Sequence, residues 1–571
     1  MPLKPVPGVG KVSAYCSPKP RCPVELMLNL NEGPLPDPGF LRRVWKNLPP
    51  GHINRYVGTE GLEKDIAVMH GVPAERVLVT SGGDDAIERV LRAVLAPGRE
   101  MVLPLPTYEM VNIYAGLIGC RVRPVDWLEG PFPVKKVLSA VNRRTSLIVV
   151  ISPSNPTGLT VSPRELRRLS AGAPGALIMV DLAYADFADG DLARAALSLP
   201  NAVIVTTLSK AYGLAGLRVG YAAGPAEVVG WLRKIGMPYP VSSASLALAA
   251  ERLRDRDGGV KRYVSRIRSE REKLRAMLRG HGVKTLPSQG NFVLARFRDS
   301  QWVWEALAGL GVCVRPFPGQ KGLEHYLRIS LPGEEAAFRR LCRALDITLS
   351  PQALLFDIDN TLVDTSRSYL RAIVRTARLF GAGINERDVA AAKARTGTNN
   401  DWKLTRSLIL SKGIKAGLGE VTRRFEELYQ GAGGVPGYKE TERLIADKAA
   451  LKRLSRRYKL GLVTGRPRRD TEEFLERFGL KGLFGAVVTM DDAKEKPDPE
   501  PVLLCMKRLG SSRAWLAGDS PDDIQAARRA GVLPVGVLAP GKPASEMERA
   551  LYGAGASRVL SDINGLKELL P

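Results

Sequence analysis

The sequence predicts an α/β fold built twice, with a smaller α+β lobe between, on three observations. From about residue 60 to 245, short apolar runs alternate with helical patterns. Val77-Leu-Val-Thr80 leads into Ser81-Gly-Gly-Asp84, Leu147-Ile-Val-Val-Ile151 into Ser152-Pro-Ser-Asn-Pro-Thr-Gly158, Leu177-Ile-Met-Val180 into Asp181, and Val203-Ile-Val-Thr206 into Lys210. Polar stretches behind buried strands put a site at the strand ends. Residues 250–348 read as helix, strand and helix, a separate lobe. A second α/β pattern begins after Ser350-Pro351, and the domain boundary is placed there.

Bulk properties narrow the class. The chain has 571 residues, too many for one core. At 44% hydrophobic and 25% charged it reads as a soluble globular protein. No apolar run approaches the roughly 20 residues of a membrane span. The start, MPLKPVPGVGKV, lacks the apolar core of a secretory signal, so a cytoplasmic protein is expected. The six cysteines are scattered and read as reduced thiols; the four histidines form no triad or metal motif. A net charge of +25 should attract anions. No nucleic-acid motif accompanies it, and basic runs such as Arg252 to Arg279 read as solvated helix faces. Anionic small substrates are expected, with neither nucleic acid nor membrane as partner.

The first candidate site centres on Thr206 to Tyr221, TTLSKAYGLAGLRVGY. A lysine held at a strand end among small residues can be desolvated. Its pKa then falls, and Lys210 can bond an aldehyde cofactor. Arg218, with the hydroxyls of Thr207 and Ser209, suits a phosphate dianion. Lysine for an aldehyde and arginine for a phosphate suggest pyridoxal phosphate (PLP). Asp181, ending a buried strand, would pair with a protonated pyridine nitrogen, though alone it also reads as a cap or loop residue. Tyr184 and Asn155 could hydrogen-bond a phenolate oxygen. Ser81-Gly-Gly-Asp84 precedes a helical pattern, so its N–H groups could meet a phosphate; a glycine pair alone is weak evidence. Tyr108 is a candidate ring to stack on the cofactor.

Residues 206–221, with the other segments in order from Asn29 to Arg328, resemble the histidinol-phosphate aminotransferases, a branch of the class I/II PLP aminotransferases, over roughly 20–345. The resemblance implies a PLP-dependent transferase fold, with a large lobe at 46–249 and a small lobe from 1–45 and 250–349. It implies that Lys210 carries the cofactor and moves the proton, that Asp181 holds the pyridinium, and that Asn155 and Tyr184 hold the phenolate oxygen. Gly83, Asp84, Ser209 and Arg218 would hold the cofactor phosphate. Tyr56 would reach that phosphate from a neighbouring subunit, which implies a homodimer. Arg328 would clamp the amino-donor carboxylate and Arg315 the substrate phosphate. The sequence departs from the family pattern in Asp181-Leu-Ala-Tyr184, in Ser154 before Asn155, and in Asn31-Glu-Gly-Pro34.

The second candidate site begins at Ala353-Leu-Leu-Phe-Asp357-Ile-Asp359-Asn-Thr-Leu362, an apolar strand ending in two carboxylates. Strand alternation puts both on one side. Paired carboxylates suit Mg²⁺, and one could attack phosphorus while the other protonates the leaving oxygen. Alone, the motif also reads as structural. Thr464 ends the strand pattern from Lys459 and could hydrogen-bond a phosphoryl oxygen. Lys496, in Glu-Lys-Pro-Asp-Pro, offers a point charge, and Trp515-Leu-Ala-Gly-Asp519-Ser-Pro-Asp-Asp523 ends another strand in carboxylates. The ordered set resembles the haloacid dehalogenase-like phosphatases over 352–571. It implies a Rossmann-like α/β domain, Asp357 as nucleophile and Asp359 as acid and base. Thr464 and Lys496 would bind phosphate. Asp357, Asp519 and Asp523 would hold Mg²⁺ with the Asp359 backbone carbonyl; Asp522 beside Asp523 leaves that last ligand open. Asp359 points to phosphoryl transfer, since the true dehalogenases lack a second aspartate. The largely helical insert, about 370–450, would be a cap. Within it, Thr396 to Thr405 is a candidate substrate contact or a plain helix connection.

Two such enzymes in one chain suggest consecutive steps on one metabolite. Imidazole-acetol phosphate and glutamate would give histidinol phosphate, which would then lose its phosphate. The alternatives are a threonine-phosphate decarboxylase or aromatic aminotransferase joined to a phosphatase of other specificity, or a non-catalytic C-terminal module.

Overall fold

The computed structural model describes residues 5–254, 258–395, 397, 400–540 and 544–571. Two compact units emerge. The first comprises the described residues up to Pro18, with Leu28–Arg298 and Arg315–Arg339; the second comprises Lys19–Met27, Asp299–Val314 and Arg340–Pro571.

The first unit is built on a seven-stranded sheet. From edge to edge it runs Val77–Thr80, Gly220–Ala223, Ala202–Thr207, Leu177–Asp181, Thr145–Ile151, Glu100–Leu105 and Arg121–Asp126. The last five are mutually parallel, and Gly220–Ala223 is antiparallel to both neighbours. Leu177–Asp181 and Ala202–Thr207 are buried at every position, which is why they read as unbroken apolar runs. One core lies on each face of the sheet, around Ile178 and Ile204 on one side and Met179 and Val203 on the other. Parallel strands align their carboxyl ends, and Asp181 and Lys210 emerge there together. Gly220 is required by the packing: a Cβ on it would stand 2.5 Å from the Gly82 carbonyl carbon and 2.7 Å from the Gly83 nitrogen. Its absence lets this strand lie against the start of helix Gly82–Val94. Nearby, Tyr326–Ser330 pairs antiparallel with Phe292–Arg296 and sets Arg328 opposite Arg315.

One expectation needs correction here. The basic run Arg252 to Arg279 is not wholly a solvated face. Arg252 is buried and donates to the Tyr212 carbonyl, and Arg271 is buried and donates to the carbonyls of Phe187 and Gly290. Their guanidinium groups donate to carbonyls of loops packed beside them.

The second unit carries a six-stranded parallel sheet in the order Ala486–Val488, Lys459–Val463, Ala353–Phe356, Ala514–Gly518, Leu533–Val537, Val559–Leu560. Trp515 is almost fully buried, meets Trp302 edge-on at 5.3 Å and donates to the Ile347 carbonyl at 2.8 Å. Between Ala353–Phe356 and Lys459–Val463 the chain forms helices Tyr369–Leu379, Glu386–Lys393, Asp401–Ser411 and Leu418–Gln430, around a core of their own with Ile373, Phe425 and Tyr429. Among the described residues no helix is long and apolar enough to cross a membrane.

Candidate functional site

The strand ends of the first unit open into a cavity of about 470 Å³ whose lining includes Lys210, Asp181, Tyr108, Arg218, Arg315 and Arg328. Gly83, Asp84, Asn155, Tyr184 and Ser209 line it as well. The lysine Nζ donates to the Leu30 carbonyl at 3.0 Å. Burial, helped by the charge of Arg328, lowers Lys210 to about 8. That holds a useful fraction of the amine neutral near physiological pH. Burial also raises the Asp181 carboxyl to about 6, against the Ala183 N–H that donates to it at 2.9 Å. A carboxylate so placed gains by meeting a cation.

Segment 29–31 organises the opposite wall. Asn31 donates to the Tyr184 hydroxyl at 3.0 Å and accepts from Ser330 at 2.6 Å. Arg328 donates to Asn155 Oδ1 and to the Asn29 carbonyl, both at 2.6 Å. Among the described residues its Nε has no hydrogen-bond partner, and neither has Nη1 of Arg315. The Arg315 guanidinium otherwise faces the Tyr15 ring at 5.4 Å and the Glu109 carboxylate at 3.5 Å. Two buried cations with unsatisfied donors at one cavity suit a ligand with two anionic groups.

Asp84 corrects the simplest picture of the phosphate cradle. Its carboxylate accepts from Arg218 at 3.0 Å and from Tyr108 at 2.9 Å. What it offers an anion is its backbone N–H, in the first turn of helix Gly82–Val94 beside that of Gly83. Arg218 reaches it from a left-handed backbone, φ 53°, which a non-glycine residue adopts only where its surroundings enforce it. Tyr56 stands apart from this cavity. It is exposed and stacked on Tyr239 at 4.8 Å.

In the second unit Asp357, Asp519 and Asp523 each offer one carboxylate oxygen within 4.8 Å of the others, a donor set that suits a hard divalent cation. Lys496 binds Asp357 at 2.7 Å and also contacts Asp523. Burial works against the lysine's charge, but those two carboxylates outweigh it and hold Lys496 protonated. Burial raises Asp357 well above the usual carboxylate range, opposed by Lys496. The choice between neighbouring aspartates is made by a helix start. Ser520 and Asp523 form a capping box on helix Pro521–Arg529, which turns Asp523 towards the cluster. Gly518 allows this approach, since a Cβ there would lie 2.4 Å from that of Asp523. Asp522 instead accepts from the Gly397 N–H at 2.8 Å. The buried hydroxyl of Thr464 accepts from the Arg466 N–H at 3.2 Å.

Asp359 is outside the carboxylate cluster. Its Oδ1 accepts from Arg466 Nε at 2.9 Å and Nη2 at 2.5 Å. The insert supplies Lys393, Asn400, Asp401 and Trp402 to a cavity of only about 60 Å³ over Asp357 and Asp359. Lys393 pairs with Asp401 at 2.8 Å. Of the stretch Thr396 to Thr405, Thr396, Thr398 and Asn399 lie outside the described residues. Sequence reasoning missed Arg466 and Lys393.

Residues 26–345 match the model of aminotransferase class I and II, and the chain belongs to that family. Residues 354–537 match the haloacid dehalogenase-like hydrolases, so the chain also carries a domain of that type. Histidinol-phosphate aminotransferase of Paracoccus denitrificans is 32% identical over 366 residues, 62% of this chain and 97% of that relative. The enzyme of the same name from Ruegeria pomeroyi is 34% identical over 334 residues, 56% of this chain and 90% of its own length. An imidazoleglycerol-phosphate dehydratase of Phytophthora nicotianae is 41% identical over 235 residues, 38% of this chain and 52% of that relative, so the chain spans about half of it. Among solved structures, histidinol-phosphate aminotransferase of Sinorhizobium meliloti with bound pyridoxal-5'-phosphate aligns with a TM-score of 0.54 and 24% identity, over 60% of this chain and 96% of its own, a likeness of fold.

Proposed function

We propose that the chain is a bifunctional enzyme of histidine biosynthesis, with transamination assigned to residues 1–349 and phosphate removal to 352–571. The first activity would pass the amino group of glutamate to imidazole-acetol phosphate and give histidinol phosphate. The second would hydrolyse a phosphomonoester, histidinol phosphate by the order of the two domains. The observation that carries the reading is the pair Arg315 and Arg328, buried at one cavity, each with an N–H that has no partner among the described residues. Histidinol phosphate and glutamate each bring an anion to such donors.

The residues fit PLP: an amine lowered to about 8 stands in one cavity with a buried carboxyl raised to about 6. When bound, PLP supplies an electron sink for the substrate α-carbon. Lys210 would hold the cofactor and carry the proton. Asp181 would hold the ring nitrogen, Asn155 and Tyr184 the phenolate oxygen, Tyr108 the ring face. The N–H groups of Gly83 and Asp84, with Ser209, Arg218 and a second subunit's copy of Tyr56, would hold the phosphate. That last role makes the enzyme a homodimer.

The donor set Asp357, Asp519 and Asp523 fits Mg²⁺, which supplies charge neutralisation to a transferring phosphoryl group. Asp357 would attack phosphorus and become an acyl phosphate as the ester oxygen leaves. Asp359 would give that oxygen its proton, then take one from the water that frees Asp357. Thr464 and Lys496 would bind the phosphoryl oxygens. The test is phosphate release by the purified chain with Mg²⁺, from histidinol phosphate against a panel of other phosphomonoesters. A strong preference for histidinol phosphate is expected; equal or better turnover of another ester would move the second activity to another metabolite.

A further inference from the structure

Arg466 has no part in the chemistry just described, yet it is among the most constrained charges in the second unit, with a side chain 2% exposed. It stands two residues past Thr464, behind the strand Lys459–Val463. Its Nε and Nη2 both donate to Asp359 Oδ1, and among the described residues no hydrogen bond reaches Oδ2. Its Nη1 and Nη2 also reach the two carboxylate oxygens of Glu442, at 3.3 and 3.0 Å. The rings of Tyr369 and Phe474 lie 5.1 and 5.5 Å from the guanidinium carbon. Glu442 in turn accepts from Ser368 at 3.0 Å and from the Tyr429 hydroxyl at 3.1 Å.

The positions of these partners in the chain give the cluster its meaning. Ser368 immediately precedes helix Tyr369–Leu379, where the chain enters the helical insert, and Glu442 immediately precedes strand Arg443–Leu444, where it leaves. The two crossings between insert and sheet are thus tied to each other through Glu442, and through Arg466 to Asp359. The cavity over Asp357 offers about 60 Å³, room for only about four to six waters at about 10–15 Å³ each. A phosphomonoester with a larger organic group enters only if the insert moves aside.

We propose that Arg466 is a positioning residue that couples closure of the insert to assembly of the acid: with Glu442 and Ser368 in place, it holds Asp359 by one oxygen and leaves the other directed at the ester. When the crossings part, Arg466 loses Glu442 and Asp359 loses its fixed orientation. The inference rests on the phosphatase reading above.

A leaving-group comparison tests it. An alkyl phosphate needs its departing oxygen protonated, whereas 4-nitrophenolate leaves without help. With PLP and Mg²⁺ bound to the full chain, Glu442→Gln and Arg466→Lys should lower kcat/KM for the best alkyl ester of the panel by about 10- to 100-fold. For 4-nitrophenyl phosphate the loss should be less than about threefold, because kcat/KM there reports phosphoryl transfer without acid catalysis. Hydrogen exchange on the metal-free chain gives a second readout: amides of 366–370 and 440–444 should exchange faster in Ser368→Ala and Glu442→Gln. Equal losses on both esters, no loss on either, or unchanged exchange would overturn the role of Arg466. Phosphate release by the unmodified chain from neither ester would remove the phosphatase reading itself.

Discussion

The two candidate sites handle charge in opposite ways. At the ends of the seven-stranded sheet a cavity of about 470 Å³ has two buried arginines, each with one donor unpartnered among the described residues. Over Asp357 the cavity is about 60 Å³, and Lys496, Arg466 and Lys393 are each paired with carboxylates of the chain. The first site is preorganised in part: those two arginine donors can face an anion directly, while Arg218 is held by Asp84 and Arg315 stands 3.5 Å from Glu109. On the function proposed above, the second would exchange partners, Lys496 turning from Asp523 to phosphate while a cation takes the aspartates. Burial makes such an exchange costly unless each new pair replaces an old one. On that reading, such a site would work by motion of its insert, the other by the fit of its cradle.

The largest effects should separate the sites. Lys210→Ala should lower transamination by about 10²–10⁴-fold or more and leave phosphate release intact; Asp357→Asn should do the reverse. Loss of both activities in either variant, read by 2-oxoglutarate and phosphate assays, would contradict two independent sites. Next, Asp523→Asn should weaken the apparent Mg²⁺ affinity of phosphate release by at least about 10- to 100-fold, while Asp522→Asn should not. An equal effect of the two would sink the assignment made by the capping box.

Preorganisation of the first site predicts smaller, graded losses. Arg328→Lys gives up charge-assisted hydrogen bonds of about 1.5–3 kcal/mol, roughly 10- to 100-fold in KM for glutamate, with little change in KM for the phosphorylated ketone. A matching shift in both constants would mean that Arg328 only supports the fold. The lowered Lys210 predicts a pH dependence as well. The neutral amine is the reactive form, so the rate of PLP capture by the cofactor-free chain, trapped with borohydride, should rise with pH and level off above about 8. A rate still climbing steeply at pH 10 would show an ordinary lysine.

Local sequence carried what short strands and turns determine. Asp181 and Lys210 each follow an apolar run, and the parallel sheet brings such ends together by its construction. Arg315 and Arg328 were named only through the family resemblance; that they stand opposite one another in paired strands is seen in the structure alone. Arg466 was not legible. Its partners stand 107 and 24 residues away, and in the sequence it is one arginine between a strand and a proline. Asp523 was named with Asp522 left open beside it; Ser520 three residues before Asp523 is a capping-box signal that fixes the helical phase and would have decided between them. Asp84 shows the opposite limit. The motif already offered its backbone N–H groups to a phosphate, but only the structure shows its carboxylate taken up by Arg218 and Tyr108.

The most direct test follows both products in one vessel. The full chain with PLP and Mg²⁺ would be given imidazole-acetol phosphate and glutamate, and 2-oxoglutarate and phosphate recorded together. The account predicts that phosphate appears after 2-oxoglutarate, approaches one per amino group transferred, and vanishes in Asp357→Asn while 2-oxoglutarate continues. Phosphate released equally fast without glutamate, or amino transfer with no phosphate at all, would contradict consecutive action on one metabolite.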